Sequence, residues 1–395
     1  DSPMSLSADN DATRRAGAIL TIDLANIAAN WRGLRDAGRA DGQPIDCAAV
    51  LKADAYGTGA AIVGPRLAAE GCRQFFVAHI EEGIALRGVL PDHPIYVLNG
   101  LLPGTEPDFV EFGLTPVLNH LGELSAWRTA AQRFNRALDA VIHIDTGMHR
   151  LGFSPEEAQV LSNERGRLRG LRLALLMSHL VASEEQANPV NGEQLSRFRN
   201  FVRMMPGAPA SLANSSGIFL GPEYHFDLLR PGASLFGINP LPGQPNPMLP
   251  TVALHARILQ VRRIDALQTV GYGAAWRSAR PSRVATIALG YADGYFRTLI
   301  NRTHVHLAGH KVSVIGRISM DLVTIDVTDV PEAESQAGAP VEILGPNLTT
   351  DDLADHARTN AYEVMTALGR RYARVYLDAG PDAGPDAGLE PGAAA

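Results

Sequence analysis

Cysteine is almost absent: Cys47 and Cys72 are the only two in 395 residues. A disulfide framework is therefore excluded, and neither cysteine has the spacing of a metal ligand, so no metal is expected. Cys47 sits inside an apolar run and reads as a small buried hydrophobe. No apolar stretch is long enough to span a bilayer. The segment Asp1–Arg15 is polar and lacks the apolar core of a secretory signal. An excess of basic charge is missing too. Against 35 Lys and Arg stand 42 Asp and Glu, a net charge of −7, and no basic run is interleaved with aromatics. Such a chain has no general affinity for nucleic acid or an anionic membrane. A cytoplasmic enzyme is the expectation that these absences leave.

What is present is an ordinary apolar content, 46%, over a length that one hydrophobic core seldom organises, so two domains are expected. Eight short apolar runs recur: Cys47–Leu51, Phe75–Ala78, Ile95–Leu98, Pro116–Leu118, Ala140–Ile144, Leu173–Met177, Pro209–Leu212 and Phe226–Leu229. Between them lie helix-like segments such as Ala60–Glu70, Leu121–Phe134, Pro155–Asn163 and Glu193–Met205. Alternating strand and helix imply βαβ units around a parallel sheet, and eight units fit a (β/α)8 barrel. A doubly wound open sheet is the alternative, but no G-x-G-x-x-G follows the first strand. The Pro-rich stretch Leu241–Pro250 reads as a linker. Beyond it, Ala253–Ile264, Arg283–Leu289, Val305–Ile315, Leu322–Val327 and Val341–Leu344 read as a mostly antiparallel β domain, with helical segments Thr350–His356 and Ala361–Leu368 near its end. Ile19–Leu24 offers a strand to either domain. The expected division is a disordered segment over 1–17, the barrel over 18–249, the β domain over 250–377 and a disordered tail over 378–395, where Asp-Ala-Gly-Pro repeats leave nothing to bury.

The chemistry-bearing residues fall at the ends of the expected strands, where a barrel keeps its active site. In Ala49-Val50-Leu51-Lys52-Ala53-Asp54-Ala55-Tyr56-Gly57, a lysine ends an apolar run and a tyrosine follows in a Gly-containing turn. A lysine whose ammonium is destabilised by burial becomes a nucleophile for Schiff-base chemistry; a solvated lysine at a loop start is the plainer reading. Arg150, in Asp145-Thr146-Gly147-Met148-His149-Arg150, suits bidentate capture of a carboxylate, or is simply a solvated loop residue. His179 near a strand end says little alone. Asn214-Ser215-Ser216 and Arg230-Pro231-Gly232-Ala233 follow the seventh and eighth strands, where barrels hold phosphate, although Ser215 also reads as a helix cap. The β domain carries Gly271-Tyr272-Gly273, Gly290-Tyr291-Ala292-Asp293-Gly294 and Gly316-Arg317-Ile318-Ser319-Met320-Asp321, each a Gly-flanked loop that could equally be a plain hairpin turn.

Taken together, these motifs resemble those of the alanine racemases, in order and spacing, from about Ile19 to Tyr376. The resemblance implies a (β/α)8 barrel followed by a β domain. It implies pyridoxal 5′-phosphate as cofactor and a head-to-tail homodimer in which each active site joins one barrel to the partner's β domain. By resemblance, Lys52 is the coenzyme-binding lysine and one base, and Tyr272 from the other subunit is the second base. Tyr56, Ser215, Gly232, Ala233 and Tyr362 match the phosphate-anchoring positions, and Arg230 faces the pyridine nitrogen. Arg150 and Met320 receive the substrate carboxylate. His179 links Arg230 to Tyr272, and Tyr291 and Asp321 shape the entrance and inner gate. Two bases on opposite faces remove and return the α-proton without the substrate turning over. An arginine at the ring nitrogen does not readily give up its proton.

One position departs from the pattern. Many family members carry a carbamylated lysine where this chain has His143, and a bound anion or another acidic group is expected to supply the missing charge. An amino-acid decarboxylase is disfavoured because such enzymes offer a cysteine from the β domain, and both cysteines here lie in the barrel region. A non-catalytic single-barrel coenzyme binder would not need Tyr272. A racemase of broader specificity remains open. The expected activity is interconversion of L- and D-alanine, with D-alanine feeding peptidoglycan precursors or alanine catabolism.

Overall fold

The computed structural model describes residues 11–38 and 45–378. The chain divides into two compact units, one running from Ile27 to Leu249 and the other made of the described residues up to Asn26 together with those from Pro250 onward.

The first unit is built on eight short parallel strands. The first is interrupted at Ala48, giving Asp46–Cys47 and Ala49–Val50. Phe75–Val77, Ile95–Val97, Thr115–Leu118, Leu138–His143, Leu171–Met177, Ala210–Ser211 and Leu228–Leu229 follow in order, each beside the last. Backbone bonds close the ring. Ala48 N–H donates to Leu229 O at 2.9 Å and Val50 N–H to Pro231 O at 3.0 Å; on the other side of the last strand, Asp227 N–H reaches Ala210 O at 2.9 Å and Arg230 N–H reaches Ala213 O at 3.0 Å. The sheet is therefore a barrel, as its eight apolar runs imply. Its interior is packed with Ala48, Val50, Phe76, Tyr96, Val117, Val141, Leu175, Met177 and Leu228, drawn from seven of the strands. These residues alternate with outward-facing ones, as inward side chains of a small barrel must. Helices Ala60–Ala69, Ile80–Arg87, Leu121–Arg133, Pro155–Asn163 and Val190–Met204 lie between strands. The fourth starts where sequence rules place it: Ser154 accepts from the Glu157 amide, Glu157 returns the bond, and Pro155 occupies the first turn. The chain makes 3-10 turns in place of longer helices, Ser216–Leu220 and Pro222–Tyr224 after the seventh strand and Ala233–Phe236 after the eighth.

The second unit is centred on the long strand Val252–Ile264. A register shift between Ile258 and Gln260 lets one strand serve two sets of neighbours, Pro340–Leu344 before it and Ser282–Ile287 after it. Ser282–Ile287, Val323–Asp326, His310–Ile315, His304–Leu307 and Pro340–Leu344 complete an antiparallel ring around it. The segment Ile19–Leu24 resolves as strand Ala18–Asp23 in this unit, antiparallel to Val252–Ile264 and parallel to Ala373–Leu377. The barrel unit therefore begins at Ile27 rather than at residue 18. Val305–Ile315, expected as one strand, is a hairpin, because Ala308 and Gly309 take φ of 50° and 82° and reverse the chain.

Part of the segment expected to be disordered is ordered. Asp11–Arg15 forms a helix with Asp11 in its first turn and Arg14 and Arg15 in its last, matching the helix dipole. Arg257 also donates to the Thr13 carbonyl at 3.1 Å. The rest of that segment, residues 1–10, and the expected tail beyond Asp378 lie outside the described residues. Among the described residues no helix is long and apolar enough to cross a membrane.

Gly290 sets how closely two loops of the β unit can approach. A Cβ there would stand 2.2 Å from the Met320 carbonyl oxygen and 2.5 Å from the Asp321 nitrogen. Gly290→Ala is expected to destabilise the protein by about 1–3 kcal/mol through this overlap, read as a lowered midpoint in thermal denaturation; an unchanged midpoint would contradict the packing described.

Candidate active site

Lys52 stands immediately after the first barrel strand, and the chain beyond it does something unusual. Ala53, Asp54, Ala55 and Tyr56 all have φ between 52° and 55°. Four consecutive L-residues in a left-handed turn are disfavoured by roughly 1–2 kcal/mol each, so the turn needs outside support. Gly57, at φ 82°, ends it by donating to Ala53 O at 2.9 Å. Asp54 accepts from Ala60 N–H at 2.8 Å, and Glu82 accepts from Ala53 N–H at 2.6 Å. Lys52 is half-buried. Burial, then the Arg150 charge, holds its amine below the usual lysine range, while Glu82 opposes the shift. Lys52 and Lys311 are the only lysines in the chain, and Lys311 lies exposed on the β-unit strand His310–Ile315.

The same turn buries Tyr56 against Phe236, with ring centroids 5.0 Å apart. Burial pushes its phenol pKa up, so it stays protonated. Its hydroxyl faces Gly232, where a Cβ would come within 2.6 Å of it; only glycine leaves that space. Ser215 Oγ accepts from Gly232 N–H at 3.1 Å and Ser234 N–H at 3.3 Å. A buried hydroxyl, a second hydroxyl and backbone N–H groups thus converge between the ends of the first, seventh and eighth strands, with Ala233 opening the 3-10 turn beside them. Hydroxyl and backbone N–H donors grouped in this way are suited to a phosphate.

Arg230 is buried, with its guanidinium set against the C-terminal ends of the sixth and seventh strands. It donates to the Ser178 carbonyl at 2.6 Å and to Ser211 Oγ. Burial pulls its pKa down to about 9, which still leaves it charged at neutral pH. His179 has no hydrogen bond to Arg230 among the described residues, so the expected link between them is not made by a direct bond. Burial, with Arg230, Arg150, His143 and Lys52 around it, keeps His179 well below its usual pKa and neutral. His143 is also neutral, pushed down to about 4 by burial and Arg230. Its tautomer follows from its neighbours: Asn119 Nδ2 donates to Val117 O at 2.9 Å, which turns Asn119 Oδ1 toward His143 Nδ1 at 2.8 Å and makes that nitrogen the donor. Arg150 is exposed and makes no ion pair among the described residues. The barrel top therefore gathers Lys52, Arg150 and Arg230 around two neutral histidines, with the carboxylates of Glu82 and Asp145 only partly offsetting them, and is suited to an anionic guest.

Tyr272, Met320 and Tyr362 belong to the β unit. Tyr272 is 72% exposed, in a turn between Gly271 and Gly273. Met320 is 53% exposed. Tyr362 lies in helix Ala361–Thr366, capped by Asn360. Tyr291 N–H donates to Ser319 O and Ala292 N–H to Met320 O, both at 3.0 Å. Arg371 joins Asp293 at 2.6 Å and Asp321 at 2.7 Å. The loops carrying Tyr291, Met320 and Asp321 are thus one fastened surface. Sequence reasoning did not find Glu82, Asn119, Ser178, Ser211 or Arg371. A polar residue just past a strand, as at Asn119 and Ser178, was the available signal.

A barrel with a desolvated lysine at its mouth, grouped hydroxyl and backbone N–H donors and a buried arginine has the features of an enzyme that holds pyridoxal phosphate in a barrel. Residues 22–240 match the alanine racemase N-terminal domain and residues 251–376 the alanine racemase C-terminal domain. The chain is 47% identical over 363 residues to a catabolic alanine racemase of Mesorhizobium japonicum, covering 92% of this chain and 94% of that protein. It is 47% identical to an alanine racemase of Rhodospirillum rubrum, covering 92% and 96%. The alanine racemase of Bartonella henselae, solved with covalently bound pyridoxal phosphate, superposes with a TM-score of 0.87 at 39% identity, covering 92% of this chain and all of that one. The chain belongs to the alanine racemase family, whose members are pyridoxal-phosphate-dependent isomerases.

Burial of neutral histidines makes stability depend on pH. The His143 pKa falls from 6.5 in the free chain to about 4 in the fold. Between those values the unfolded chain takes up a proton that the folded one refuses, so stability is lost as pH falls through this window. His179 and His304 act in the same direction. His143→Gln is expected to flatten the dependence of unfolding free energy on pH between 6.5 and 4 by about one proton. Denaturant titrations across that range measure it, and an unchanged slope would contradict the assignment.

Proposed function

We propose that the protein interconverts L- and D-alanine by a two-base reaction, with Lys52 acting on one face of the substrate and Tyr272 of the partner subunit on the other. The observation that carries this reading is Lys52. It is one of only two lysines, it stands at the mouth of the barrel, and burial and Arg150 favour its neutral, nucleophilic form. The shared name of the relatives supports alanine as the substrate.

Bound pyridoxal phosphate supplies electron withdrawal that makes the α-hydrogen of the amino acid removable. Every other task falls to side chains. Tyr56, Ser215 and the Gly232–Ala233 backbone, with Tyr362, would hold the phosphate. Arg230, clamped by Ser178 and Ser211 and charged at neutral pH, would sit at the ring nitrogen without surrendering its proton. Withdrawal of electrons then stays moderate, which disfavours loss of other groups from the α-carbon. Arg150, whose guanidinium has no carboxylate partner among the described residues, receives the substrate carboxylate together with Met320. Lys52 and Tyr272 hold and move the proton.

The homodimer is part of the same reading. Tyr272, Tyr291, Met320 and Leu322 are exposed large side chains carried by Gly-flanked loops of the β unit. Such exposed apolar side chains call for a partner, and the resemblance to the racemases implies that a second subunit meets these loops. One barrel and the partner's β domain then make each active site.

Tyr272→Phe removes one proton carrier and leaves the other. Abstraction from the L enantiomer is expected to slow by about 100-fold or more, and abstraction from the D enantiomer by much less. Single-turnover exchange of the α-hydrogen into deuterium oxide, run separately from each enantiomer, reads this. Equal losses from both would contradict the assignment of one base to each face.

A further inference from the structure

Glu82 has a job that a helix cap does not explain. It is the third residue of helix Ile80–Arg87, and one carboxylate oxygen, Oε2, accepts from Ala78 N–H at 2.8 Å and His79 N–H at 3.0 Å. That oxygen alone completes the capping box. The other oxygen, Oε1, reaches 29 residues back along the chain to Ala53 N–H at 2.6 Å. Ala53 is the residue directly after Lys52 and the first of the four left-handed residues. A short, charge-assisted bond to a backbone amide is among the stronger single hydrogen bonds available, and it falls where the backbone is least able to support itself. The second barrel strand, through the helix that follows it, thereby fixes the exit of the first.

We propose that Glu82 is the positioning residue for Lys52: by bridging the start of helix Ile80–Arg87 to the Ala53 amide, its carboxylate pins the left-handed turn and so aims the lysine side chain at the coenzyme. The inference rests on the reading of Lys52 as the coenzyme lysine. The same carboxylate is the acidic group that acts on Lys52, opposing the charge of Arg150, while His179 also lies within electrostatic reach. Glu82 therefore affects both the direction and the charge of one amine, and the two effects separate on substitution. Losing the pin weakens coenzyme attachment. Losing the negative charge lets the lysine deprotonate at lower pH, which by itself would favour attachment. A purely structural role predicts the first change without the second.

The test uses the full-length protein stripped of coenzyme, in the wild type and in Glu82→Gln, Glu82→Asp and Glu82→Ala. Acylation of amines is followed against pH and resolved by peptide mapping into Lys52 and Lys311, which serves as the internal control. In Glu82→Gln and Glu82→Ala the reactivity profile of Lys52 is expected to move to lower pH while that of Lys311 stays fixed. Affinity for pyridoxal phosphate is expected to fall about 10–100-fold in Glu82→Ala and to be partly restored in Glu82→Asp. A Lys52 profile that does not move in folded Glu82→Gln overturns the proposal, as does undiminished coenzyme affinity in Glu82→Ala. If Glu82→Ala does not fold, Glu82→Gln carries both readings. Lys52→Ala is measured alongside. Should it still bind the coenzyme covalently, the reading of Lys52 fails, whereas the response of the Lys52 amine to Glu82 is recorded without reference to the coenzyme.

Discussion

The turn from Ala53 to Tyr56 is the constraint on which the site depends. Left-handed backbone over four L-residues does not persist on local preference, so it exists only because its surroundings over-determine it. The first barrel strand delivers the chain to this point, bonded on one flank to Phe75–Val77 and on the other to Leu229 and Pro231. Asp54 and Glu82 then tie the turn from two sides. The product is a geometry that a right-handed turn would not give, with Lys52 and Tyr56 both presented at the mouth of the barrel and Tyr56 pressed against Phe236 and Gly232. Strain stored at a functional site and offset by the packing around it is a common arrangement.

Electrostatics follow from the same placement. Lys52, Arg150 and Arg230 are brought together with two histidines kept neutral, and after burial it is the arginine charges that hold down the proton affinities of Lys52, His143 and His179. Arg230 escapes repulsion by burying its hydrogen bonds in Ser178 and Ser211. Asn119 fixes the His143 tautomer, so that this side chain adds a ring nitrogen rather than a formal charge to the barrel top. A doubly charged phosphate and a substrate carboxylate would neutralise this excess on binding, which couples ligand affinity to folded-state charge. In the β unit the same economy is visible at Asp293, whose buried carboxylate accepts from Arg371 and from the Gly290 amide of its own loop, while Arg371 also pairs with Asp321 and so ties the two loops together.

Much of this was legible in the sequence. The eight apolar runs mapped onto eight barrel strands because each is short, bounded by turn residues and separated by a helix-length segment. Lys52, Arg150, Ser215 and Arg230 stood out as candidates because each follows one of those runs, so fold and candidate site came from the same periodicity. What stayed hidden depends on contacts between distant residues. Glu82 looks like an ordinary first-turn acid of a helix, and nothing local reports that its second oxygen reaches Ala53. The strand Ala18–Asp23 has no local feature that assigns it to Val252–Ile264 rather than to the barrel. The reversal at Ala308-Gly309 was masked by apolar residues on both sides, and helix Asp11–Arg15 by the polar composition of its neighbours. The left-handed turn was invisible because Ala-Asp-Ala-Tyr has no intrinsic preference for it.

The central claim is that Lys52 is the amine that carries the coenzyme. With only two lysines in the chain, borohydride reduction of the coenzyme-loaded protein followed by peptide mapping decides it. The account predicts a stable phosphopyridoxyl adduct on Lys52 and none on Lys311. An adduct on Lys311, or no adduct on protein that has bound the coenzyme, would contradict it.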